Sequence, residues 1–257
     1  KKKFGLLTFE PVPVMFFNKE IINHRLDTLP QKIYNLKKEK LDFVIIQKFN
    51  KRFSKLSYQD FIYKVLYKKI KCNYLYVSKN FKFGKERKGD VSKLKIFEKK
   101  YFYKTIITPP LLKKKKTISS TIIRKLLRRG KIKKANNLLN RKWEITGKVI
   151  KGSQRGRKIG FPTCNVLLKK YKIPKFGVYA YNVKINNILK KGIANVGYRP
   201  TFNGKKLLLE VNIFGFKKNL YNKNINVIFN KFIRPEKKFK NIIELKNQIR
   251  KDIKLAK

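Results

Sequence analysis

The spacing of apolar residues changes near Gly147, and one repeated architecture cannot accommodate both halves. Upstream, "FGLLTFE" (4–10), "LDFVIIQKF" (41–49), "CNYLYVS" (72–78) and "KTIITPP" (104–110) are short apolar runs that read as strands, the first two as buried ones. Between them "SYQDFIYKVLYKKI" (57–70) carries Phe61, Val65 and Leu66 at helical spacing behind a polar start at Ser57. Strands alternating with helices predict a parallel α/β sheet over residues 1–140. "TISSTIIRKLLRRGKIKKANNLL" (117–139) predicts two short helices, with Ser119 and Ser120 as N-cap candidates and Gly130 as the break. Residues 140–146 read as a connection, and the run Lys113 to Lys116 as a solvated loop.

Downstream, "VYAYNVKI" (178–185), "ILKKGIANVG" (188–197), "LLLEVNIFGF" (207–216) and "INVIFNKFI" (225–233) are short strands bounded by Gly, Pro and Asn. They predict an antiparallel sheet or small barrel over residues 141–257. The closing segment places Ile242, Leu245, Ile249, Ile253 and Ala256 on one stripe, with Asn241 and Glu244 forming a capping start.

Composition narrows the class. The 257 residues suit one or two domains, and 42% hydrophobic content with 13% aromatics is enough for real cores. Two cysteines are too few for a disulfide framework and fit a reducing cytoplasm. The basic-then-apolar start is interrupted by Glu10, Pro11 and Pro13, so it reads as a strand and turn and not as a signal peptide. The sequence opens on Lys1, and further residues are expected ahead of it. The formal charge of +54 admits a nucleic-acid-binding protein as an alternative. The lysines, however, are spread along the whole chain beside abundant Asn, Ile, Phe and Tyr, which is the mark of compositional drift. Nonspecific attraction to RNA or anionic membranes follows from such a field in either case.

"GKVIKGSQRGRKIGFPTCNV" (147–166) carries the chemistry. Gly152, Gly156 and Gly160 recur every four residues among Arg155, Arg157 and Lys158. Such a stretch can bring backbone N–H groups and cations close to phosphates, or it can be a plain glycine-rich hairpin. It is not a P-loop, since the G-x-x-x-x-G-K-[ST] spacing is missing. Pro162 holds Phe161 extended, which puts Thr163 and Asn165 on one face and Cys164 and Val166 on the other. A hydroxyl and an amide oxygen side by side are hard, neutral ligands suited to Mg²⁺, or they make ordinary turn hydrogen bonds. Phosphoryl transfer to a hydroxyl also needs a base. From Gly147 onward the carboxylates are Glu210, Glu236, Glu244 and Asp252, and Glu210 alone lies inside a strand, opposite Leu209, Val211 and Ile213. By elimination Glu210 is the base.

With "PKFGVYAYNV" (174–183), "ANVGYRPTFNG" (194–204), the strand glutamate and the closing helix, residues 147–257 resemble the riboflavin kinase family. The resemblance implies a six-stranded antiparallel barrel with a C-terminal helix that makes FMN from riboflavin and ATP. It implies Gly152, Gly156, Arg157 and Gly160 over the nucleotide, Thr163 and Asn165 on Mg²⁺, and Glu210 against the ribityl 5′-hydroxyl. Cys164, Gly215 and Asn222 stand where the family commonly has Ala, Asp and Gly.

The N-terminal half is similar to the FMN adenylyltransferase domain that bacteria fuse ahead of this kinase, through "LLTFEPVP", "SKNFKFGKERKGD" and "TISSTIIR". That implies a Rossmann-like, nucleotidyltransferase-type α/β domain over residues 1–140, incomplete at its start. Candidate residues for its reaction, FMN to FAD, are Asn80, Ser119, Ser120, Thr121 and Arg124. The family's first strand and HxGH motif are expected upstream of Lys1, and Val12 replaces the usual histidine of the "EPHP" turn. The 257 residues by themselves are therefore expected to make FMN and not FAD.

Overall fold

The computed structural model describes residues 2–257 apart from 114, 153, 169, 170, 186, 187, 202, 203 and 217. Contacts divide the chain into two compact units, Lys1–Ile21 with Asn35–Ile118, and Ile22–Tyr34 with Ser119–Lys257.

The first unit is α/β, with parallel pairing as expected. Strand β1 (Gly5–Glu10) pairs with β2 (Phe43–Lys48), and β3 (Tyr74–Ser78) with β4 (Lys104–Thr108). Helices begin where short polar side chains can accept the free N–H groups of a first turn. Asn50 accepts from the Phe53 N–H, Ser57 from that of Asp60, and Asp90 from that of Lys93. The segment after Ser57 is helical as its spacing predicts, but Phe61–Ile70 adopts the wider π form. It buries Phe61, Ile62, Val65 and Leu66 against Val77, Phe83, Leu94 and Tyr103. The first two strands are less buried than their apolar runs predict. Phe43 and Ile46 are 40% and 42% exposed, and Thr8 is the buried residue of β1. Among the described residues each of these strands pairs with a single partner, so its neighbours cover it only partly. The lysine run is a minimal hairpin instead of a loop. Leu112–Lys113 (β5) pairs with Lys116–Thr117 (β6), while Lys114 lies outside the described residues.

The second unit is the antiparallel barrel. Strands β7 (Glu144–Ile150), β8 (Cys164–Leu167), β9 (Gly177–Ile185), β10 (Ile188–Thr201), β11 (Gly204–Ile213) and β12 (Asn224–Arg234) close in the order β10-β11-β8-β7-β12-β9. Period-two alternation sends Ile145, Val149, Val166, Val183, Val196, Leu209, Val211, Val227 and Phe229 into a dry interior. Each such side chain contributes about 1.5–3 kcal/mol on leaving water. The helix Ile242–Ala256 packs outside β9, β10 and β12. Its cap is the expected one, with Asn241 accepting from the Glu244 N–H.

The contacts draw the boundary differently from a division at residue 140. The helices Ser120–Arg128 and Ile132–Leu139, and the segment 22–34, belong with the barrel. Ser119 caps the first of these helices, and Gly130 separates them at φ +70°, a conformation that costs glycine little. The reason for the difference is a set of buried polar contacts. Asn136 donates to the Phe229 carbonyl and accepts from the Trp143 N–H. The Trp143 indole N–H donates to the Leu26 carbonyl at 2.9 Å, and Arg141 pairs with Asp27 at 2.5 Å. Gln31 donates to Thr146 and accepts from the Tyr171 hydroxyl. Residues 140–146 are thus more than a connection. Trp143 is fully buried against Phe229, and β7 starts at Glu144.

Candidate active site

Three strands of the barrel bring one polar row together. In register, Asn195 of β10 lies opposite Glu210 of β11, which lies opposite Asn165 of β8. Their chain neighbours Ala194, Val196, Leu209, Val211 and Val166 point into the core, so the row is on the outer face. Beside it is a cavity of about 600 Å³.

One wall of the cavity is the glycine-rich segment and the strand after it. Arg155–Lys158 forms a single helical turn, and Gly156, Lys158, Ile159, Phe161 and Thr163 face the cavity. Ser153 and the Arg155 side chain lie outside the described residues. Two of the glycines are there for space. A Cβ on Gly152 would come within 1.8 Å of the Asn165 Nδ2, and one on Gly156 within 2.4 Å of the Phe161 carbonyl and 3.2 Å of the Thr163 hydroxyl. Both therefore lie directly against the two oxygen-bearing side chains that the sequence singles out. Gly160 has φ +88° and open space around it, and the exposed Arg157 is not among the residues that line the cavity. The Asn165 Oδ1 is buried and, among the described residues, has no hydrogen-bond partner, an arrangement costly in a folded chain unless something binds there. Asn212 donates to the Pro162 carbonyl at 2.7 Å and so fixes the approach to Thr163.

Glu210, which also lines the cavity, is not the lone carboxylate that its sequence surroundings suggest. The Arg199 Nε and one terminal nitrogen both reach the Glu210 Oε2, at 2.8 and 2.6 Å. The other terminal nitrogen reaches the Glu236 Oε1 at 3.0 Å, and Asn195 donates to that same oxygen at 2.9 Å. Burial lowers the Arg199 pKa, but its bonds to Glu210 and Glu236 outweigh that and leave it above the ordinary value. Cys164, on the opposite face from Thr163 and Asn165, has its thiol pushed up to about 11 by burial, which leaves it neutral and inert.

The third wall is apolar. Ile242, Leu245 and Ile249 of the C-terminal helix face Phe239, Val178 and Ile193. The helix is tied down by Asp252, 1% exposed, whose carboxylate takes three contacts from Arg234 at 2.7–3.0 Å and one from Gln248. Arg199, Glu236, Asn195 and Lys158 are the site residues that elimination among carboxylates overlooks. A signal for two of them was available, since Asn195 and Arg199 alternate with core residues in "ANVGYR" and must share the face that carries Glu210.

The second set of sequence candidates is divided between the units. Asn80 is exposed in the turn after β3, within the first unit. Ser119, Ser120, Thr121 and Arg124 lie in the second. The Ser119 side chain caps its helix, Ser120 and Thr121 are exposed, and the Arg124 Nε donates to the His24 carbonyl at 2.8 Å. Burial, then Arg124, Lys172 and Arg25, hold the His24 imidazole below its usual pKa.

A six-stranded barrel with an outer polar row, a glycine-rich flap and a helical wall is matched by a family model. That model, riboflavin kinase, covers residues 139–257, and one for FAD synthetase covers residues 1–122. A bifunctional riboflavin kinase/FMN adenylyltransferase from Buchnera aphidicola (subsp. Schizaphis graminum) is 42% identical over 258 residues, covering 98% of this chain and 82% of the relative. One from Haemophilus influenzae is 38% identical over 254 residues, with the same coverage. The chain belongs to the bifunctional riboflavin kinase/FMN adenylyltransferase family. Among solved structures, a Streptococcus pneumoniae protein described as a macrolide-efflux protein superposes with a TM-score of 0.84 at 27% identity, covering 99% of this chain and 83% of that one. Among the described residues, no helix is long and apolar enough to cross a membrane.

Proposed function

We propose that the barrel of this chain carries out the family's kinase reaction, moving the γ-phosphoryl group of ATP to the 5′-hydroxyl of riboflavin, with Glu210 as the base. One observation supports this above the rest. A carboxylate and an orphaned buried amide oxygen are register neighbours beside a cavity that has one apolar wall and one glycine-rich wall. The apolar wall of Phe239, Leu245 and Ile249 suits a flat aromatic ring such as isoalloxazine, which gains from leaving water. The Gly156 turn and Lys158 suit the nucleotide phosphates.

Thr163 and Asn165 fit Mg²⁺, because both offer neutral oxygens and the Asn165 oxygen has no other partner among the described residues. When bound there with ATP, the ion would neutralise charge on the phosphate oxygens. Glu210 takes the proton of the 5′-hydroxyl as its oxygen forms a bond to the γ-phosphorus. The bond from that phosphorus to the β–γ bridging oxygen breaks, and ADP leaves. Asn212 holds the Pro162 carbonyl, and so the strand entry that presents Thr163. Both cysteines are free thiols, and a cytoplasmic location is part of the same proposal. For the family's second reaction, adenylylation of FMN to FAD, Asn80 with Ser119, Ser120, Thr121 and Arg124 remain the proposed residues, on the strength of their motifs.

The metal assignment is tested by titration. Thr163→Val and Asn165→Leu each replace an oxygen with an apolar group of similar size. Each is expected to move the Mg²⁺ concentration giving half-maximal FMN formation upward by about tenfold or more, as loss of one ligand does. Curves that overlay the parent chain's in both variants would leave these residues a structural role alone.

A further inference from the structure

We infer that Arg199 is a positioning residue for Glu210, fixing one carboxylate oxygen so that the other is presented to the hydroxyl; this rests on the reading of Glu210 as the base. Both Arg199 contacts to Glu210 end on the same atom, Oε2, at 2.8 and 2.6 Å. Among the described residues Oε1 carries no hydrogen bond. A carboxylate free to rotate would offer either oxygen in many orientations. A planar fork on one oxygen removes that freedom at little entropic cost, because the guanidinium is already rigid.

Arg199 is itself held from behind. Its remaining terminal nitrogen donates to the Tyr198 carbonyl and to Glu236, each at 3.0 Å, and Asn195 donates to the same Glu236 oxygen. The strand explains how these groups meet. Asn195, Gly197 and Arg199 are alternate residues of β10 and share its outer face. A Cβ on Gly197 would come within 2.2 Å of the Glu236 Oε1, so glycine is what lets the Glu236 carboxylate lie across the strand between its two partners. The result is a chain of contacts, Asn195–Glu236–Arg199–Glu210, ending at the cavity.

The other cations that line the cavity are paired elsewhere or lie on the flap. Arg234 is bound to Asp252, Lys237 to Glu244, and Lys158 lies on the flap. Among the described residues, Arg199 is the cation in contact with Glu210.

The test is a double-substitution cycle in the full 257-residue chain, reading kcat and KM for riboflavin and for ATP. Arg199→Ala is expected to lower kcat by roughly 10- to 100-fold with both KM values unchanged, the size typical of a residue that orients a reacting group. In a Glu210→Gln background the same substitution is expected to add no further loss, since its effect passes through the carboxylate. Arg199→Lys, which keeps the charge without the fork, is expected to fall between, and it carries the cycle if the alanine variant does not fold. A loss of equal size in the Glu210→Gln background would overturn the inference, as would a raised KM with kcat intact. If Glu210→Gln collapses kcat while both Arg199 variants keep the parent rate, the inference fails and the base survives. If Glu210→Gln keeps the parent rate, the base reading fails and the inference with it.

Discussion

Replacing Glu210 with Gln is expected to lower kcat for FMN formation by about 10²–10⁴-fold, the usual worth of a general base, while riboflavin still binds. The amide preserves volume and can still accept a hydrogen bond from Arg199, so the β10–β11 outer face should keep its packing. What it cannot do is take up a proton as the 5′-oxygen bonds to phosphorus. The loss should therefore appear in kcat and not in KM, the signature of an interaction made in the transition state. Steady-state kinetics with a thermal melt of the variant checks both halves of the statement. An unchanged kcat in a folded variant would remove Glu210 from the reaction.

Asp252→Ala should be the most damaging substitution for stability, at about 3–5 kcal/mol, because it leaves the guanidinium of Arg234 without its partner in a largely buried place. Asp252 is 1% exposed and bonded to both Arg234 and Gln248, so nothing in solvent can take over its role. The pair fixes the helix Ile242–Ala256 to the end of β12, and that helix supplies one wall of the cavity. Urea unfolding should show a lower midpoint, and the KM for riboflavin should rise in the variant that remains folded. Asp252→Asn, which keeps one acceptor for Arg234, should lose less. Midpoints equal to the parent's in both variants would show that the helix is held by its apolar stripe alone.

The barrel was legible because its strands alternate cleanly. Leu209, Val211 and Ile213 announce one face and Glu210 the other, and the register then carries Glu210 to Asn165 and Asn195. The flap was legible as glycines, but their purpose was not. Only the fold shows Gly152 lying against Asn165 and Gly156 against Thr163, since that contact joins the loop to a strand about ten residues on. Glu236 was hidden for a related reason, and Arg199, though its alternation puts it on the Glu210 face, has no place in a search for a base. Elimination among carboxylates asks which residue can act and not which residues hold it, and Glu236 reaches the site from beyond the end of β12. The division at residue 140 followed a change of texture, whereas the contacts follow buried bonds such as Trp143 to Leu26 and Tyr171 to Gln31, which span more than a hundred residues and leave no local trace. The charge of +54 is the largest number in the composition and the least informative about the fold, because motifs and contacts, not net charge, place the site.

The central claim is that the barrel phosphorylates riboflavin on its 5′-hydroxyl. Incubation of the 257-residue chain with riboflavin, ATP and Mg²⁺, followed by chromatography and phosphorus NMR of the products, tests it most directly. The account predicts FMN and ADP in equal amounts, with the ester on the 5′-oxygen and its formation largely lost in Glu210→Gln. Riboflavin recovered unchanged beside intact ATP, from chain shown to be folded, would contradict it.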